Sequence, residues 1–184
     1  FGAFFEGTAG FGSPVAVTSA LLIQLGFKPL QACGLALIAN TAPVAFGSLG
    51  IPITTLEAVA GLDALKVSAM VGRQLPFFSL IIPFWIVAVF AGWRSMLAVW
   101  PAALTAGLAF AVPQFLVSNL HGPWLVDIIS GACSIAATVL LLRFWKPREI
   151  VRLDASAESG GATPAPTAHS RREILQAWMP WAIL

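Results

Sequence analysis

Glu6 opens a glycine-rich run, Phe5-Glu6-Gly7-Thr8-Ala9-Gly10-Phe11-Gly12-Ser13-Pro14, in sequence that otherwise reads as lipid-soluble helix. A carboxylate at membrane depth is expensive to keep charged, so an acid there is suited to taking up and releasing a proton. The alternative sets Glu6 at an interface or capping a half-helix, with no proton to carry. Gly7, Gly10 and Gly12 form no usable dinucleotide fingerprint, because no buried strand precedes them and no ribose-binding acid follows. They suit a tight turn and close helix packing, leaving backbone N–H groups, with the Thr8 and Ser13 hydroxyls, for an anion. Packing alone accounts for the glycines equally well.

A second polar cassette follows, Asn40-Thr41-Ala42-Pro43-Val44-Ala45-Phe46-Gly47-Ser48-Leu49-Gly50-Ile51-Pro52. Pro43 removes one backbone donor and frees the carbonyl a turn earlier. The Asn40 amide and Thr41 hydroxyl then either bind a substrate hydroxyl or carboxylate, or satisfy that freed backbone. Gly47 and Ser48 belong to the same break and count with it as candidate binding positions. The cassettes share Thr-Ala, then Phe-Gly-Ser, then Pro, a short and gapped match that hints at paired construction. Arg73, beside Gln74 and ahead of Leu75-Pro76, offers a guanidinium, the natural bidentate partner of a carboxylate. Its alternative is a snorkelling arginine at the entrance of a span. Asp127 either relays protons or pairs with a base, or else caps its helix or sits in the headgroup zone. His121 falls in a solvated loop.

The elements that must position these residues read as membrane helices. The chain is 58% hydrophobic and 10% charged, with mean hydropathy +0.87, against roughly 25% charged in a soluble domain. A net charge of +2 with its basic residues in loops excludes a nucleic-acid stripe. Apolar segments at 14–27, 31–53, 75–93, 97–117 and 125–144 approach the ~20 residues of a spanning helix. Irregular backbone at that depth persists only where protein buries it or water reaches it, and transporters use such breaks to expose backbone dipoles to a solute. The expected fold is therefore all-α, a polytopic transmembrane helical bundle with Gly/Pro-broken or re-entrant helices.

Its expected organisation is a helical region over 1–145 with breaks at 5–14 and 40–52, then a Gly/Pro/Ser-rich loop over 146–172. A further helix should start within 173–184. Arg143, Lys146, Arg148, Arg152, Arg171 and Arg172 flank that loop and place it in the cytoplasm by the positive-inside rule. Trp93, Trp100, Trp124 and Trp145 stand at expected interfaces, while Trp85 falls mid-span as a packing residue. Cys33 and Cys133 read as free core thiols. The chain lacks an initiator Met and stops inside an apolar run, as expected of an internal segment. Two histidines, two separated cysteines and no acidic cluster argue against an enzyme, a metal site or a cofactor.

At Phe4-Phe5-Glu6-Gly7-Thr8-Ala9-Gly10-Phe11-Gly12-Ser13-Pro14-Val15-Ala16, Gly26-Phe27-Lys28-Pro29-Leu30, Asn40-Thr41-Ala42-Pro43-Val44-Ala45-Phe46-Gly47, Gly72-Arg73-Gln74-Leu75-Pro76 and Trp100-Pro101-Ala102 the chain resembles the L-lactate permease family. The resemblance covers nearly all of it and implies about a third of a multi-pass permease of the bacterial inner membrane, with about a dozen spans. It implies uptake of L-lactate, often D-lactate and glycolate, by proton symport. The resemblance carries over no assigned site residues; the residues' own chemistry makes Gly7, Thr8, Gly10, Gly12, Ser13, Asn40, Thr41, Gly47, Ser48 and Arg73 the candidate substrate-binding positions and Glu6 the candidate proton carrier. Carriage of another small organic anion, or a non-transporting scaffold role, are the competing expectations. Analogy with ion transporters built from paired hairpins and Asn-Thr motifs favours an elevator over rocking.

Overall fold

The computed structural model describes residues 1–10 and 12–145, and helix is the only regular structure among the described residues. Helix α1, Gly2–Thr8, is short; α2, Ser13–Gln24, starts behind Gly12 with Pro14 in its first turn. Helix α3, Pro29–Ala39, also begins on a proline, whose missing N–H costs nothing at a helix start. The chain then breaks through a 3-10 turn at Val44–Phe46 into α4, Gly47–Ala60, bent 68° from α3. The break falls where Pro43 was expected to put it.

The start of α4 is itself irregular. Ser48, Leu49 and Gly50 have φ of 45°, 57° and 81°, one left-handed turn set in a right-handed chain. Each non-glycine residue held there costs roughly 1–2 kcal/mol, so surrounding contacts must hold it. Gly61, at φ 66°, ends α4.

Helix α5, Ala64–Ala98, begins well before the expected 75–93. The Asp63 side chain accepts hydrogen bonds from Leu65 N at 2.9 Å and Lys66 N at 3.2 Å, a cap that starts the helix early. The connection after α4 therefore shrinks to a few residues. Arg73 and Gln74 therefore lie within a continuous helix that is longer than the ~20 residues of a span. Gly92, with φ 84° and ψ 165°, breaks α5 near its end. Helices α6, Trp100–Leu120, and α7, Val126–Phe144, follow close to their expected spans.

Three helices, α5, α6 and α7, are long and apolar enough to cross a membrane, or four with the bent α3–α4 pair as one span. Contacts pair α5 with α6 in opposite sense: Gly72 lies against Ser118, Ser79 against Gln114 and Gly107 against Leu80. Helix α7 packs on α6, where Ser134 Oγ donates to Ala106 O at 2.9 Å, and α1 packs on α7. The apolar core is small: Phe46, Ile53, Ala64, Val67 and Val126, with Ala45, Val71, Leu75 and Val117 around them. It sits where the α4 break meets the beginnings of α5 and α7.

Most remaining apolar surface faces outward, as suits helices bounded by lipid or by further helices. Cys33 and Cys133 are free but exposed, so the core position expected for them is wrong. Their apolar runs turn outward. Trp93, Trp100 and Trp124 are exposed. Trp85, expected mid-span as a packing residue, is 53% exposed on one wall of an open apolar cavity of about 300 Å³. The loop expected at 146–172 and the helix expected from 173 lie outside the described residues.

Candidate functional site

Three stretches distant in sequence converge on Glu6. The first is α1 itself. The second is the first turn of α7, which runs antiparallel to α1: an added Cβ on Gly7 would lie 2.9 Å from Asp127 Cβ and Ile128 N, and one on Gly131 3.0 Å from Phe4 N. Only glycine lets two backbones approach this closely. The third is the α4 break, because a Cβ on Gly47 would run into the Glu6 carboxyl. Ser48 Oγ donates to Ala9 O at 2.8 Å, and Gly10, at φ 56°, leaves the room that hydroxyl occupies. The two glycine-containing cassettes thus interlock, and Gly50 packs on Pro123 just ahead of α7.

The side chains enclosed there are acidic and short of partners. Glu6 is 4% exposed, Asp127 1% and Ser130 0%. Glu6 Oε2, both Asp127 carboxyl oxygens and Ser130 Oγ are buried without a hydrogen-bond partner. Glu6 is the charge that acts on Asp127. Asp127 and Ser130, three residues apart on α7, share a face of that helix. The cap role expected for Asp127 is therefore overturned: Leu125 occupies the N-cap position, no side-chain cap bond forms, and α1 packs over the carboxyl. No sequence signal at Asp127 announces this, because the cover comes from the other end of the chain. Among the described residues no group of three or more His, Cys, Asp or Glu is arranged to hold a metal ion.

The second cassette begins beside a different polar network. Gln114 of α6 is fully buried; its Nε2 donates to Ala42 O at 3.3 Å, and its Oε1 accepts from Ser79 Oγ at 2.7 Å. Helices α5 and α6 thereby hold the carbonyl next to Pro43, where the chain leaves α3. The sequence reading missed Gln114, Ser79 and Ser130. A lone glutamine in an apolar run was the available signal, of the same kind that singled out Asn40.

The remaining candidates divide. Glu6, Gly7, Gly10, Gly47 and Ser48 come together. Asn40 stands at the end of α3 with its Oδ1 enclosed and unpartnered. Thr41 is exposed, its Oγ1 donating to Ile38 O at 2.7 Å, one residue short of the Ala39 carbonyl that Pro43 frees. Thr8 Oγ1 turns to Phe4 O and Phe5 O at 3.2 Å, and Ser13 Oγ to Gly10 O at 2.6 Å. Gly12, exposed at φ 88°, serves the turn into α2. Arg73 Nε donates to Asn119 Oδ1 at 3.1 Å on the α5–α6 seam. With Lys66, Ala69, Met70 and Gln74 it lines an open groove of about 370 Å³, and it bonds to neither cassette.

The family model for L-lactate permease matches residues 1–184. The chain is 50% identical over 193 residues to a glycolate permease of Escherichia coli (strain K12). It is 49% identical over 190 residues to an L-lactate permease of Bacillus subtilis (strain 168) and 50% over 185 to an L-lactate permease of Escherichia coli (strain K12). Each match takes in 100% of this chain and 34% of the relative, so the chain spans about a third of their length. No solved structure matches it.

Proposed function

The chain belongs to the L-lactate permease family, and we propose that it forms part of a secondary transporter that imports L-lactate, with D-lactate and glycolate, by proton symport across the bacterial inner membrane. The observation that carries this reading is the buried Glu6 carboxyl at the junction of two broken cassettes. Ionisable groups inside membrane helices mark proton and substrate paths, and broken helices supply the polar backbone that a small anion needs. The names of the relatives, L-lactate and glycolate permeases, support a 2-hydroxy monocarboxylate as cargo.

On this reading Glu6 carries the proton. The substrate meets the backbone of the two cassettes and the unpartnered Asn40 Oδ1, an acceptor that suits a 2-hydroxyl donor. Arg73 bears on an anion nearer the α5–α6 groove, beside Lys66. Alternating access then opens the loaded site to one side at a time, with the 146–172 loop in the cytoplasm and no cofactor or metal needed.

Labelled L-lactate uptake into proteoliposomes of a full-length permease carrying this segment tests the proposal. Accumulation should follow an inward proton gradient and fall when unlabelled glycolate competes. Glu6→Gln should abolish accumulation while sparing lactate exchange. Gradient-insensitive uptake would retire the proton role, and no uptake of either acid by folded protein would overturn the substrate.

A further inference from the structure

We propose that Glu6 and Asp127 act as one unit across the α1–α7 seam, holding a single proton between them in the closed arrangement seen here. This rests on the reading of Glu6 as the proton carrier and adds a partner to it. Three observations combine. Both carboxyls are more than nine-tenths buried, at 4% and 1% exposure, on helices that touch through Gly7. Three of their oxygens have no hydrogen-bond partner, and the equally buried and unpartnered Ser130 hydroxyl lies on the same face of α7 as Asp127. Three free carboxyl oxygens against the one Ser130 O–H leave acceptors in excess of donors, and a proton on one carboxyl supplies a second donor.

Among the described residues, burial and the Glu6 charge are what act on Asp127, and no cation is among them. Helix α6, packed against α7, has no titratable side chain. On α4 the one such group is Glu57, exposed and accepting from Ala64 N at 3.3 Å. His121, just ahead of α7, is exposed and set edge-on to Trp124. On α1 it is Glu6 alone, the charge that acts on Asp127. Two like charges shut together away from water repel at high cost, and one proton between the two carboxyls removes that repulsion.

The step balances simply. In the closed state one proton lies between the two carboxyls and the pair bears one negative charge. When the gate opens to the cytoplasm, water enters, the proton leaves to it, and hydration supports the second charge. Reprotonation from the outer side restores the closed state. Asp127 is thus a positioning residue for the proton on Glu6 as well as a share of its binding.

Infrared difference spectroscopy of the purified full-length permease in lipid reads the shared proton without requiring transport. A carboxylic-acid C=O band should be present at neutral pH in the wild type and displaced or lost in both Glu6→Gln and Asp127→Asn. Asp127→Glu, which keeps the acid, should retain a carboxylic-acid band. Asp127→Asn should also cut gradient-driven accumulation at least tenfold while sparing exchange. A wild type with no such band overturns the proposal, as does a band unmoved in either variant. A band that sodium abolishes also overturns it, because the pocket then takes a metal cation. If Asp127→Asn does not fold, Glu6→Gln decides alone. A band shared as expected in a protein whose uptake ignores the gradient would sink the symport reading and leave the pair standing. Normal gradient-driven uptake by folded Asp127→Asn would do the reverse.

Discussion

Asn40 and Thr41 are neighbours of similar chemistry, and their surroundings give them different work. Thr41 Oγ1 already donates to Ile38 O, so its hydroxyl is spent on the end of α3. Asn40 Oδ1 is enclosed with no partner, and a buried acceptor left unpaired costs about 1–3 kcal/mol. A ligand donor such as a 2-hydroxyl would recover that cost. Asn40→Ala should therefore raise the KM for lactate several-fold in proteoliposome uptake, while Thr41→Val moves it little. Equal effects would remove Asn40 from the site. Nothing in the sequence separates the two, because the difference lies in which carbonyl happens to be in reach. Asp127 is a harder case of the same kind. Its place at the start of a span reads as a cap as readily as a proton relay, and α1, far away in the chain, makes it interior.

At the scale of elements, the legible parts were those set by local chemistry. Pro14, Pro29 and Pro101 mark helix starts, and the break around Pro43 is where its missing donor requires one. Helices α6 and α7 keep close to their expected limits because apolar length decides them. Helix α5 does not: the Asp63 cap and continuation through Pro76 and Pro83 carry it across Arg73. A cap is a local signal that was available and unused. The left-handed turn at Ser48–Gly50 had no such signal beyond its glycine, since Ser48 is tied there by its bond to Ala9 O, far away in the chain. The seam of α1 with α7 rests on glycine in the same way. Gly7→Ala would put a methyl carbon 2.9 Å from Asp127 Cβ and the Ile128 backbone. That overpacking should cost about 1–3 kcal/mol, read as a lower midpoint of thermal unfolding in detergent. It should also impair gradient-driven uptake more than Gly34→Ala, where an added Cβ meets nothing within 4 Å.

Across the whole molecule, the acid site belongs to no single helix. Glu6 comes from the first described helix, Gly47 and Ser48 from the α4 break, and Asp127 and Ser130 from the last. Synthesis runs from the N-terminus, so Glu6 leaves the ribosome long before Asp127 exists. Until α7 arrives, one wall of its pocket is missing and water or lipid headgroups must take that place. With Cys33 and Cys133, both exposed, replaced by serine, Glu6→Cys in a nascent chain arrested before Val126 should react with a water-soluble thiol reagent. The same chain extended past Phe144 should be protected. Equal labelling of both lengths would mean that α7 is not the cover. The acid thus enters the bilayer as an open group and becomes an interior one late in biosynthesis. Its membrane insertion is a matter of timing, which a hydropathy profile does not contain.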